Sequence, residues 1–126
     1  MAQHNKLGEL GESIAKRFLV KRGFQAVDQN YRRKWGEIDL IMKKVGRLHF
    51  VEVKSVSRES VKDVLRETAY RPEENIHPKK IQRLSRVIQS YLAGKSETEW
   101  QFDVVAVFIS VKEKKAKVRL LEDVVL

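Results

Sequence analysis

Along the chain the apolar positions switch between a period near 3.6 and a period near 2, which separates helices from strands. Leu7, Leu10, Ile14 and Phe18 form one stripe at helical spacing and predict a helix over 6–22 that buries that stripe. Gly8, Ala15 and Leu19 make an adjoining face of mostly small side chains, with Glu12 at its edge. Gly23 stops this helix after Lys21 and Arg22 in the last turn. Residues 24–31, 37–44 and 47–55 read as three strands, and the second is apolar on both faces, so it belongs inside a sheet. Gly46 supplies the turn between the second and third. In the polar stretch 56–77, Ser60 and Asp63 form a capping pair ahead of a short helix, and the rest reads as loop. Pro78 opens a long helix over 78–93 at a position where its missing N–H costs nothing, with Ile81, Leu84, Ile88, Tyr91 and Leu92 inward. A strand over 101–109 and an edge strand at about 116–122 complete the chain. The expected fold class is α/β, a mixed central sheet flanked by helices in the order α-β-β-β-(α)-α-β-β. No repeat or linker divides residues 1–126, which reads as one domain.

Charge adds a partner to this picture. Lys and Arg number 26 against 17 Asp and Glu, a net charge of +9. Such an excess favours a polyanion, nucleic acid or an acidic surface. The chain has no cysteine, which excludes disulfides, zinc fingers and thiol nucleophiles. The longest apolar run, Val104 to Ile109, is far short of the ~20 residues that cross a bilayer. The first six residues carry no apolar core of a signal peptide, so the expectation is a cytoplasmic protein with no membrane partner.

The segment 37–54 carries the chemistry. Glu37, Asp39 and Ile41 share one face of the second strand, and Phe50, Glu52 and Lys54 share one face of the third. A two-residue loop, Val45–Gly46, pairs Lys44 with Arg47; a four-residue loop, 44–47, pairs Lys43 with Leu48. Either way Asp39 faces Glu52, with Cβ atoms ~4.5–5.5 Å apart. A three-residue loop would put them on opposite faces. Val45 is a poor first residue for a type I′ turn, which favours the four-residue form. Two facing carboxylates repel unless one is protonated or a cation lies between them. Oxygen donors suit a hard divalent ion, Mg²⁺ or Mn²⁺. Lys54, two residues along the same face, sets an ammonium where it can orient an attacking water.

Glu37-Ile38-Asp39-Leu40-Ile41 followed by Val51-Glu52-Val53-Lys54 resembles the PD-(D/E)xK nuclease superfamily. Within it the chain is similar to the YraN family, a bacterial group related to restriction endonucleases and archaeal Holliday-junction resolvases. The resemblance runs over nearly the whole chain through Gly8 to Glu12, Asn30-Tyr31, Gly36 to Ile41, Phe50 to Lys54, Lys79-Lys80 before Arg83-Leu84, and Phe102 to Val105. It implies a restriction-endonuclease-like fold. Asp39 and Glu52 would bind metal with the backbone carbonyl of Val53, Lys54 would act on the water, and Glu12 would join or support the metal shell. Ile38 replaces the usual proline, and Ser55-Val56 replaces a frequent Thr-Arg. The segment 56–75 is longer than usual. The implied function is metal-dependent cleavage of DNA, including branched or damaged DNA. The alternatives are a DNA-binding module with an inactive site, and RNA cleavage.

Plainer readings stand beside these. Glu12 could be a helix-surface residue and Glu37 a solvated neighbour at the sheet end. Asp103 reads as a structural cap or pairing group. His49 points away from Glu52 and packs or faces solvent, and no histidine is assigned to catalysis. Lys79, Lys80, Arg83 and Arg86, with Arg33, are the candidate nucleic-acid contacts. Trp35, beside Arg32, Arg33 and Lys34, either stacks on a base or plugs the core. Resolvase-like relatives act as symmetric dimers, but no self-complementary patch is evident here, and both a monomer and a homodimer stay open.

Overall fold

The computed structural model describes residues 6–59, 77–95 and 98–126. Helix α1 (Lys6–Lys21) precedes strands β1 (Gln25–Arg33), β2 (Gly36–Lys44) and β3 (Arg47–Ser57). Helix α2 (Pro78–Leu92), β4 (Trp100–Ser110) and β5 (Lys115–Leu121) follow. The strands form one sheet in the order β1-β2-β3-β4-β5. Only β3 and β4 run parallel; the other neighbours are antiparallel. A parallel pair needs a crossover, and α2 lies in that connection. The expected α/β class holds. The short helix expected after Ser60 lies outside the described residues. Residues 56 and 57, expected in loop, instead extend β3 beside Phe108 and Ile109 of β4.

The two helices among the described residues take opposite faces. Ala15 and Leu19 of α1, with Phe24, pack on Leu40, Met42, Val51, Val105, Val107 and Ile109. Leu84, Val87 and Ile88 of α2 pack on Ile38, Ile41, Leu48, Phe50, Phe102 and Val104. With both faces covered, β4 is buried from Phe102 to Ser110, which is why its sequence shows an unbroken apolar run rather than alternation.

Two expectations are corrected. The first concerns α1, whose buried residues are Gly11, Ala15 and Leu19. Leu7, Ile14 and Phe18 only flank this core, and Leu10 is 46% exposed. The small face lies innermost because the helix sits almost on β3: a Cβ on Gly11 would come within 1.7 Å of Ser55 Oγ. The second concerns the β2–β3 turn. Lys44 pairs with Arg47, so the loop is the two-residue Val45–Gly46 form. Both residues have positive φ, 49° and 75°, as a type I′ turn requires. The twist of the flanking strands fixes this turn, and Val45, fully outside at 95% exposure, accepts the backbone strain.

The close approach of α1 yields a paired prediction. Gly11→Ala should cost about 1–3 kcal/mol through overpacking. Gly8→Ala, in the same helix but with open space around its Cβ, should gain up to ~1 kcal/mol from helix propensity. Urea midpoints for both variants check this; equal effects would mean that α1 does not press on Ser55.

Candidate functional site

The β2–β3 ladder holds one register from Lys44–Arg47 to Leu40–Val51 and then ends. In that register the next pair would be Asp39 and Glu52, as the turn arithmetic anticipated. The β1–β2 ladder breaks at the same place. Gln29 pairs with Leu40 and Tyr31 with Ile38, while Asn30 and Asp39 between them do not pair. Asn30 has φ 50°, a left-handed conformation that asparagine tolerates better than most residues. Alternation along β2 slips too, since Ile38 joins Ile41 on the α2 side whereas Leu40 lies on the α1 side. Asp39 thus occupies a notch where β2 has left β3 and misses one rung with β1. A continued ladder would set Val53 opposite Ile38; instead the Val53 N–H donates to Asp39 Oδ2 at 2.7 Å.

Four carboxylates converge there. Burial, then the charge of Glu52, pushes the Asp39 carboxyl up to about 8, with Glu12 adding to the rise and the Val53 N–H opposing it. Glu52 is 6% exposed, and its Oε2 accepts from Lys80 Nζ at 2.5 Å. Glu12 reaches in from α1. Its carboxyl is raised by burial and by Glu37, Glu52 and Glu9, against a hydrogen bond from Asn30. Asn30 Nδ2 donates to Glu12 Oε1 and to Glu37 Oε2, each at 3.0 Å. Both partners are acceptors, which fixes the orientation of the amide. Glu37 also meets Arg32 Nε at 3.3 Å. Lys54 is half-buried and makes no hydrogen bond or ion pair among the described residues. A groove of about 560 Å³ between α1 and β1 exposes Glu12, Asn30 and Glu37, with Lys16 and Arg32 along it.

The expected basic contacts divide. Lys79 and Arg83 are exposed on one side of α2, and Arg83 borders a cleft of about 260 Å³ with Trp35, Glu37 and Lys80. Lys80 turns inward to Glu52 instead of lining the outer face. The Arg86 guanidinium lies 4.4 Å over Trp35, which flanks the α2 core. Arg33 Nε donates to Ser90 Oγ at 3.1 Å, and its guanidinium lies 4.2 Å over Tyr31. Arg86 and Arg33 therefore help close the seam between α2 and the β1–β2 edge.

Asn30 is not among the expected site residues, and Glu37 is weighed there between a site role and a solvated neighbour, with the second favoured. Asn30 had one signal, its place in the Asn-Tyr pair shared with the family. The inward turn of Lys80 had none, because it depends on where α2 docks. Away from the notch, Asp103 has the structural role expected of it. Its Oδ1 accepts from Gln101 Nε2 at 2.8 Å and from the Asp123 N–H at 2.9 Å, and its Oδ2 is 2.7 Å from His49 Nδ1. Glu122 lies near this pair, and through these three bonds Asp103 ties β3, β4 and the C-terminal segment together.

The raised Asp39 carboxyl makes stability pH-dependent with a definite sign. Between about 4, where an unfolded Asp releases its proton, and about 8, the folded state holds a proton that the unfolded state has lost. Its contribution to stability therefore falls as pH rises through that window. Asp39→Asn removes it, so the variant should gain stability relative to wild type from pH 4.5 to pH 8. Urea unfolding across that range is the measurement; parallel curves would contradict the raised carboxyl.

Comparison with other proteins places the chain. Residues 11–107 match the model of the uncharacterised protein family UPF0102. A UPF0102 protein of Alkaliphilus metalliredigens is 41% identical over 111 residues, covering 86% of this chain and 90% of its own. One from Syntrophus aciditrophicus is 37% identical over 98% of this chain and 91% of its own. One from Caldicellulosiruptor bescii is 34% identical over 94% and 95%. With its five-stranded mixed sheet flanked by helices on both faces and these relatives along nearly its full length, the chain belongs to the UPF0102 family, the restriction-endonuclease-like YraN family that its motifs resemble.

Proposed function

We propose that the protein is a divalent-metal-dependent nuclease acting on DNA, with Mg²⁺ or Mn²⁺ held by Asp39 and Glu52. The observation that carries this reading is the notch itself. The β2–β3 ladder ends and the β1–β2 ladder skips a rung where the buried Glu52 and the Asp39 carboxyl meet, an arrangement that costs sheet hydrogen bonds and makes Asp39 expensive to ionise beside Glu52. The donor set fits a hard ion: every side-chain donor is a carboxylate oxygen, and Glu52 already holds a cation, the Lys80 ammonium. Glu12 and Glu37, braced by Asn30, would complete the acidic wall on the α1 side.

A divalent ion bound here would lower the pKa of an attacking water and offset charge on the phosphate. The residues of the chain supply the rest. Lys54 Nζ, uncommitted among the described residues, would hydrogen-bond and orient that water. Asp39, oriented by the Val53 N–H, would hold the ion as a carboxylate, its proton passing to solvent. Lys79 and Arg83, on the exposed side of α2, position the phosphate backbone. The net charge of +9 raises the local concentration of a polyanion. One observation favours a second reading, a DNA-binding module with a silent site: the Lys80–Glu52 pair neutralises a carboxylate that a nuclease needs.

Cleavage and gel-shift binding, scored in parallel on duplex, gapped and branched DNA with Mn²⁺, separate the two readings. Asp39→Asn and Lys54→Ala should each lower cleavage by about 10²-fold or more, in the range of lost acid–base or electrostatic groups. Binding should stay within a few fold. Wild type that binds but cuts no substrate, with both variants binding alike, would leave the binding module as the function.

A further inference from the structure

We propose that Lys80 is the site's own resident cation: its ammonium holds Glu52 until a divalent ion binds, is then displaced, and moves to the outer side of α2 to take up a phosphate. The inference rests on the reading of Asp39 and Glu52 as metal ligands. Lys80 belongs by sequence to the basic Lys79-Lys80 pair, yet it alone of the basic residues described on α2 makes an ion pair with one of the four carboxylates. The attraction is shared, since Asp39 and Glu37 act on the ammonium as well as Glu52.

The two partners differ in freedom. The Glu52 side chain is 8% exposed and the Lys80 side chain 45% exposed. The carboxylate is fixed in the sheet, whereas the ammonium sits on a flexible stem with one side already in water. A divalent ion on Glu52 would lie within ~4 Å of that ammonium, where two cations in a partly buried site repel strongly. Lys80 is the partner that can leave. The side of α2 it would join already carries Lys79 and Arg83, both exposed. Metal loading then changes the nucleic-acid surface without any movement of the backbone. The exchange is reciprocal by linkage: a phosphate that engages Lys80 vacates Glu52 for the metal.

The test measures Mn²⁺ binding by calorimetry on the full chain without nucleic acid, in wild type, Lys80→Met, Lys80→Gln and Lys80→Arg, with melting curves to confirm folding. Both neutral variants should bind Mn²⁺ at least about fivefold more tightly than wild type, a typical coupling between sites, and Lys80→Arg should resemble wild type. A second readout uses a phosphorothioate-substituted duplex that resists cleavage. Adding Mn²⁺ should steepen the plot of log affinity against log salt by about 0.9 more in wild type than in Lys80→Met, one phosphate contact. If the neutral variants bind Mn²⁺ no more tightly while Asp39→Asn loses it, the resident-cation proposal is wrong and the metal site stands. If wild type binds no Mn²⁺, or Asp39→Asn binds it equally well, the metal reading fails and the proposal with it.

Discussion

The structure turns on the interruption at Asp39. A strand inside a sheet normally hands its N–H and C=O groups to both neighbours, and unpaired groups there are costly. Here β2 stops pairing with β3 after Leu40 and skips a pair with β1 at Asn30, and the Asp39 side chain takes the Val53 N–H. That one side-chain bond closes the exposed end of the β3 ladder. It also leaves a second carboxylate oxygen, Glu52 and the α1 residues facing a common space. The cost appears in the electrostatics, as a carboxyl held up to about 8 by burial and by its acidic neighbours.

The cluster depends equally on how close α1 comes to the sheet. Gly11 packs on Ser55, the residue after Lys54, with no room for a Cβ. Glu12, one position along, is thereby within electrostatic reach of Glu52 and bonded to Asn30. On the other face α2 starts at Pro78, with His77 as its N-cap accepting the Lys79 N–H. Lys80 therefore sits in the first turn, level with Glu52. The helices are thus more than cover for the sheet. Each delivers one charged residue to the same break, an acid from α1 and a base from α2.

Much of this was legible in the sequence. The strand period of 2 and an even-numbered turn were enough to bring Asp39 toward Glu52, because register follows from parity. The type of turn was not legible, since Val45 at φ 49° runs against its own preference and the strands override it. Helical periodicity located α1 but favoured its larger residues as the buried stripe. Leu10 is outside and Gly11 inside because the distance between helix and sheet, which no local pattern encodes, decides which face goes in. Asn30 and Lys80 were obscure for a related reason. One depends on a missing rung between β1 and β2, the other on the docking of α2 nearly thirty residues beyond Glu52 in the chain.

We propose that the notch holds a divalent ion. The most direct measurement is a crystal grown or soaked with Mn²⁺ and examined by anomalous scattering. One strong peak is expected about 2.1 Å from carboxylate oxygens of both Asp39 and Glu52, with the Lys80 ammonium moved off Glu52. An empty notch at millimolar Mn²⁺ with the Lys80–Glu52 pair intact, or a peak only beside His49, Asp103 and Glu122, would contradict it.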